Sequence, residues 1–401
     1  MKIKVVDSIM GSGKTQKSIK IMNEGYNNYI YITPFLSEVE RIKNSVTNKK
    51  FYSPEQRGEG KLTSLKDLIK QGKNVASTHA LFSTADDELK ELLKMNNYVL
   101  ILDEVMEVVS QVNISSYDIN LLIHNEQIVI DEFGKVLWNK EKYGDYKGKF
   151  EDLMVMALHD RLIMANKTLM LWMFPADIFS CFEEVYILTY MFDGQIMKYY
   201  YDLYNIKYEY LSVRKINGDF EFVEYNDDKS KLINLINISE NIKLNSIGND
   251  KFALSYSWYD TALDSYLEVL KKNITNFFIN KCKAKSKEVL WTTFLGDKDC
   301  IRKKLQNKGY QSINCFAPMN SRATNEYRDR KYIAYTVNRF INPYMKAFFN
   351  SKGIEVNEDK YALSEMLQFV FRSAIRCGES INIYIPSKRM RNLLKNWINF
   401  K

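Results

Sequence analysis

The chain has 401 residues, 46% of them hydrophobic, with 57 lysines and arginines against 49 aspartates and glutamates, a formal net charge of +8. That length suits two domains of about 100–200 residues each; the apolar content is ample for packed cores, and no apolar run approaches the roughly 18 residues that cross a bilayer. Five scattered cysteines (Cys181, Cys282, Cys300, Cys315, Cys377) and three histidines without ligand spacing (His79, His124, His159) argue against a disulfide framework, a zinc cluster and imidazole-based metal hydrolysis.

Ile3-Lys4-Val5-Val6 reads as a strand, Ser8-Ile9-Met10-Gly11-Ser12-Gly13-Lys14-Thr15 follows it, and Gln16 to Glu24 reads as a helix. Strand, glycine-rich turn and helix are the setting of a phosphate loop. Gly11 and Gly13 let the backbone turn so that its N–H groups, with that of Ser12, point at phosphate oxygens, and the helix N-terminus adds partial positive charge. Lys14 reaches the outer phosphates and the Thr15 hydroxyl suits Mg²⁺, so ATP and Mg²⁺ are the expected ligands. Ser8 stands where a phosphate loop usually has its first glycine. The loop begins so soon after Met1 that no signal peptide is expected; a cytoplasmic location follows, the host cytoplasm if the chain is phage-encoded. Abundant lysine, asparagine, isoleucine and tyrosine with six prolines is the bias of an AT-rich coding sequence, as in a low-GC bacterium or its phage.

Further along, strands are expected at Tyr29–Ile32, Asn74–Thr78 and Tyr98–Leu102, with helices at Leu36–Val46, at Ser64–Gln71 and after His79. This alternation predicts a parallel sheet with helices on both faces, and ligands gather at the carboxyl ends of such strands. Ser8, Thr33 and Thr78 lie at strand ends, and the apolar run 98–102 ends in Asp103-Glu104. A carboxylate there, beside a phosphate loop, suits Mg²⁺, and the neighbouring Glu104 suits activation of water. Residues 106–165 break the alternation. A β-hairpin around Gly134 and a helix from Phe150 to Ala165 read as an insertion, in which Trp138, Lys140, Lys142, Tyr143 and Tyr146 suit either base stacking or an ordinary hairpin edge. Thr168–Phe174 and Val185–Tyr190 read as two further strands of the first sheet.

The domain boundary is expected near 195, giving a first domain of 1–195 and a second of 196–401. The second opens with a hairpin turning at Asn217-Gly218. Helices at 259–272 and up to Asn307 and strands at Val289–Phe294, Ser312–Phe316, Tyr332–Tyr335 and Ile381–Ile385 describe another α/β domain. The basic stretch Ser321 to Lys331, with Arg322 and Asn325, suits either a nucleic-acid loop or a solvated connector. Gln368, Arg372 and Arg376 recur every four residues, which on a helix aligns them on one face. Arginines so placed can stabilise charge on a transferring γ-phosphoryl group, an effect of about 10³–10⁵ in rate.

Taken together, these motifs resemble those of the superfamily 2 helicases. Motif I is similar to Ser8–Thr15, in which Ser8 is the expected small residue; motif II to Asp103-Glu104-Val105-Met106; motif VI to Gln368, Arg372 and Arg376. The form of the acidic box is similar to that of herpesvirus-type replication-origin-binding helicases and of phage replication helicases. It is not the Asp-Glu-Ala-Asp or Asp-Glu-Ala-His form, and no Ser-Ala-Thr motif III is present.

The resemblance implies two RecA-like P-loop domains in tandem with β-hairpin insertions, and an ATP-dependent translocase or helicase with ATP and Mg²⁺ between the domains. Thr33-Pro34 and Thr78-His79 resemble the motif Ia and Ib positions that grip a nucleic-acid backbone. Nucleic acid is the implied partner, DNA favoured over RNA, with replication proteins as further partners and no membrane. Two other readings stay open: a P-loop kinase of a nucleotide or small molecule, and a non-catalytic ATP-gated DNA-binding or loading protein.

Overall fold

The structure, a computed structural model, describes residues 2–56, 60–230, 232–319 and 326–399. The chain forms two compact units, one of residues 1–8, 12–225 and 342–356, the other of 9–11, 226–341 and 357–401.

The strands of the first unit are β1 (Lys2–Asp7), β2 (Asn28–Thr33), β3 (Phe51–Tyr52), β4 (Asn74–Thr78), β5 (Tyr98–Asp103), β6 (Val109–Gln111), β7 (Ile128–Ile130), β8 (Val136–Trp138), β9 (Leu162–Asn166), β10 (Leu169–Met173), β11 (Glu184–Thr189), β12 (Glu209–Ile216) and β13 (Asp219–Glu224). Eight of them form one sheet in the order β13-β12-β1-β11-β5-β2-β4-β3. All neighbours run parallel except β12 and β13. Every residue of β5 is buried, because this strand lies mid-sheet with both faces covered; that is why its sequence is a continuous apolar run rather than an alternating one.

The insertion folds on itself. β6, β10 and β9 make a small antiparallel sheet, β7 and β8 a two-stranded ribbon, and Ile119, Leu122, Trp138, Met154 and Met170 share one core. Two expectations change here. The helix placed at 150–165 is only Glu151–Leu158. Asp160 adopts φ +60°, the Asp160 and Arg161 N–H groups bond to the Ala157 and Met156 carbonyls at 3.1 and 3.0 Å, and this helix-ending motif releases 162–166 as a strand. β10 pairs with β6 and β9 and not with the large sheet. Trp138 packs against Tyr143 and Tyr146, with centroids at 6.4 and 5.5 Å, so these rings join the core of the insertion.

The hairpin at Asn217-Gly218 forms as its sequence demands, with φ of +51° and +95° at the two turn residues. It belongs to the first sheet, since Lys4, Val5 and Val6 pair with Glu209, Tyr210 and Leu211. The first unit therefore runs to Tyr225, not to 195. It also includes the Pro343–Ser351 helix, whose Phe349 ring lies 5.9 Å from that of Tyr199.

The second unit has a four-stranded parallel sheet of β14 (Ile236–Ile238), β15 (Val289–Thr292), β16 (Tyr332–Tyr335) and β17 (Ile381–Tyr384), in the order β14-β17-β16-β15. Trp291, Tyr310, Phe316 and Tyr384 anchor its core, and the Trp291 indole donates to the Tyr310 carbonyl at 3.1 Å. The strand expected at 312–316 is a single helical turn, Ile313–Cys315, followed by a Trp291–Phe316 bridge to β15.

Candidate active site

β1 delivers the chain directly into the Ser8–Thr15 loop. Gly11 and Gly13 have φ of +83° and +98°, a region closed to most side chains, and the Lys14–Glu24 helix starts straight from Gly13. The Lys14 ammonium turns back to donate to the Ser8 carbonyl, which keeps it at the loop. Ser8 has a definite task, since its Oγ accepts the Val213 N–H at 2.9 Å. Asp7, just before the loop, is 3% exposed and accepts the N–H groups of Met191 and Phe192, both at 2.9 Å; it closes the chain after β11 and is not free for chemistry.

Asp103 ends β5, two strands from β1 with β11 between. At about 4.8 Å per strand the two axes lie roughly 10 Å apart, and the parallel arrangement puts the loop and the carboxylate on the same rim. Asp103 is 8% exposed. Burial, then repulsion from Glu104, push its carboxyl up to about 7, against the Tyr31 hydroxyl and Lys14, which hold it down; Glu38 adds a smaller upward push. Tyr31, on β2, is itself raised well above the usual phenol range by burial and by Asp103. Glu104 is half-buried with φ +64°, an unusual backbone for glutamate and of the kind found where a side chain must be aimed.

The remaining expected residues fare differently. Thr33 is fully buried and its hydroxyl has no hydrogen-bond partner among the described residues, so it presents nothing to a polymer; Pro34 beside it is half-exposed. The Thr78 Oγ1 caps the short His79–Phe82 helix by accepting the Leu81 N–H at 3.4 Å. The His79 Nε2 lies 3.0 Å from the Asp103 carbonyl. His79 thus braces the acidic strand end. Arg322 and Asn325 lie outside the described residues.

Gln368, Arg372 and Arg376 do not share a helix face. The Glu358–Val370 helix ends before Arg372, because the Ser373 hydroxyl bonds to the Val370 carbonyl at 2.6 Å and the Ala374 N–H goes to Arg330. Arg376 falls in a separate turn, Ala374–Cys377. Arg372 is 3% exposed, donates to the Pro318 and Met319 carbonyls at 3.1 and 3.3 Å, and lies 5.6 Å from the Phe369 ring centre. Arg376 is half-exposed.

The donor set of the loop fits a phosphate chain with a divalent cation. Two glycines open its backbone, the Ser12 Oγ is buried without a hydrogen-bond partner among the described residues, and a hydroxyl at 15 and a carboxyl at 103 offer the hard oxygens that Mg²⁺ prefers. Sequence reading missed the place of Tyr31 beside Asp103 and put the Asn217-Gly218 hairpin in the second domain rather than beside β1. Neither belongs to a motif, and only the pairing of β2 with β5 and of β12 with β1 brings them to this rim.

The fold is that of an α/β protein with parallel sheets, similar to Xpd4 of S. tokodaii at 13% identity and a TM-score of 0.51 over 99% of this chain and 94% of that one. An XPD helicase gives 12% identity and a TM-score of 0.48 over 98% and 94%. The chain belongs to the YonV family. It is 46% identical over 413 residues to the SPbeta prophage-derived uncharacterized protein YonV of Bacillus subtilis (strain 168), covering 99% of this chain and 98% of that protein. Residues 109–172 match the YonV middle domain, which is the inserted subdomain described above, and 230–398 match the YonV C-terminal Rossmann-like domain.

Proposed function

We propose that the protein is an ATP hydrolase of the helicase type, with two RecA-like units, that couples nucleotide turnover to movement along nucleic acid, DNA in preference to RNA. The observation that carries this reading is the placement on one sheet rim of the Ser8–Thr15 loop, the buried carboxyl of Asp103 and Glu104 at positive φ. Gly11, Ser12, Gly13 and Lys14 would hold the phosphates, Thr15 and Asp103 the magnesium ion, and Glu104 would orient the attacking water. Mg²⁺ supplies charge that offsets the negative charge of the transferring group. The likeness of the fold to Xpd4 supports the helicase class, and the prophage origin of the Bacillus relative supports a phage setting. Of the two arginines, Arg376 is the better sensor of the γ-phosphate, because Arg372 is committed to the Pro318 and Met319 carbonyls.

The test is ATP hydrolysis measured in parallel with no polymer, single-stranded DNA, duplex DNA and RNA, for the native chain and Lys14→Ala. Polymer-stimulated turnover that disappears in Lys14→Ala is expected. Full turnover in Lys14→Ala refutes the site. Turnover that ignores every polymer but needs a small phosphate acceptor replaces the motor with a kinase, and tight nucleotide binding without turnover replaces it with an ATP-gated loading protein.

A further inference from the structure

The β12–β13 hairpin grips the phosphate loop at three points. At the start of the loop, the Val213 N–H bonds to the Ser8 Oγ at 2.9 Å and the Ser212 hydroxyl to the Asp7 carbonyl at 3.3 Å. At its last glycine, the Phe220 ring lies so close that a Cβ added to Gly13 would be 2.2 Å from two ring carbons. On the helix behind, Lys17 is paired with Glu221, and the Lys20 ammonium lies 3.0 Å from Asp219 and 3.4 Å from Glu221. Phe222 continues the contact, stacked on Tyr186 with centroids 5.4 Å apart and with the Lys17 ammonium 5.7 Å from its own ring centre.

A phosphate loop works only when its N–H groups are already aimed. The glycines that permit the loop also give it the greatest freedom to leave that shape. A flat ring over Gly13, carried on β13, which pairs with β12 and through it with β1, removes much of that freedom.

We propose that Phe220 is a positioning residue for the phosphate loop, acting through Gly13, and that the β12–β13 hairpin holds the loop amides in their phosphate-binding arrangement. This rests on the nucleotide-binding reading of the loop, but it makes a statement about the free protein that can be checked alone.

The experiment is amide hydrogen exchange on the full-length, nucleotide-free chain, with binding of a fluorescent ATP analogue and Mg²⁺ measured beside it. In Phe220→Ala the amides of residues 11–15 should exchange about tenfold faster while those of the sheet and hairpin stay protected. Nucleotide Kd should rise about tenfold through lost preorganisation. Phe220→Tyr, which keeps the ring, should restore both. A purely structural role would lower the active fraction without moving Kd. Unchanged loop exchange in Phe220→Ala overturns the proposal, whatever the nucleotide result. If the native chain binds no nucleotide yet the exchange effect appears, the positioning stands and the nucleotide reading falls. If Phe220→Ala loses protection across 210–224, Phe220→Leu carries the same test, because it keeps an apolar contact without the flat ring.

Discussion

Asp103→Asn should make the nucleotide-free protein more stable, increasingly so as pH rises from 3.8 to 7. The carboxyl sits at about 7 in the folded chain against an ordinary value of 3.8. That displacement corresponds to about 4 kcal/mol of preference for the protonated form. Below pH 3.8 the carboxyl is protonated both folded and unfolded and contributes nothing. As pH rises from 3.8 to 7 the unfolded chain gives up the proton while the folded one keeps it, so stability falls; above 7 the whole penalty is present. Asparagine matches the carboxyl in shape and cannot ionise. The two proteins should therefore have equal stability near pH 4 and differ increasingly towards pH 8, by up to about 4 kcal/mol, with each kcal/mol raising Tm by roughly 2–4 °C for a unit of this size. Urea unfolding at half-unit pH steps, following the first unit, measures it. Mg²⁺ with ATP should stabilise the native chain more at pH 8 than at pH 6, since metal and proton compete for one carboxylate, and should do little for Asp103→Asn. Parallel stability curves for the two proteins from pH 4 to 8 would refute the reasoning.

Three further outcomes follow from the same contacts. Arg372→Ala strips the donors from the Pro318 and Met319 carbonyls and should cost about 2–3 kcal/mol in urea unfolding of the second unit, whereas Arg376→Ala should leave unfolding unchanged and lower ATP turnover by about 10³. Gly13→Ala combines a φ of +98° with a collision against Phe220 and should cost about 1–3 kcal/mol, read as a lower Tm together with lost nucleotide binding; Gly13→Ala with Phe220→Ala should recover part of the Tm. Arg389→Ala removes hydrogen bonds to Asn338, the Arg339 carbonyl and Asp359, and a cation stacked 4.4 Å from the Phe340 ring centre. It should destabilise the second unit by about 2–4 kcal/mol in urea unfolding, because this arginine is a structural brace.

Much of the framework was legible locally. Strand, loop and helix from Lys2 to Glu24 follow from an apolar run, two glycines and a helical stripe of Ile19 and Met22. The apolar run before Asp103 announced a buried central strand, and Asn217-Gly218 announced its turn type. The failures share one cause. Periodicity states which residues of a segment are apolar but not which neighbour covers them. Thr168–Phe174 has the look of a central strand of the large sheet and instead pairs with β6 and β9. Gln368, Arg372 and Arg376 have helical spacing, and the helix stops because the Ala374 N–H finds the Arg330 carbonyl, which is 44 residues away in the chain. Backbone handedness also escapes a linear reading, as Asp160 and Glu104 at positive φ illustrate.

For this protein the sequence by itself determined the residues on offer: a glycine-rich loop with a lysine and a hydroxyl, an acidic strand end and an arginine-bearing second unit. Residue type and short spacing are enough for that, because the loop's glycines, lysine and hydroxyl act within eight consecutive residues. Tertiary structure alone decided the state of those groups. It buried Asp103 and so pushed its carboxyl up to about 7, committed Arg372 to backbone carbonyls, bonded Ser8 to β12 and laid Phe220 over Gly13. Each of these depends on groups distant in the chain meeting in a low-dielectric interior, where desolvation and unpaired hydrogen-bonding groups cost more than any local preference.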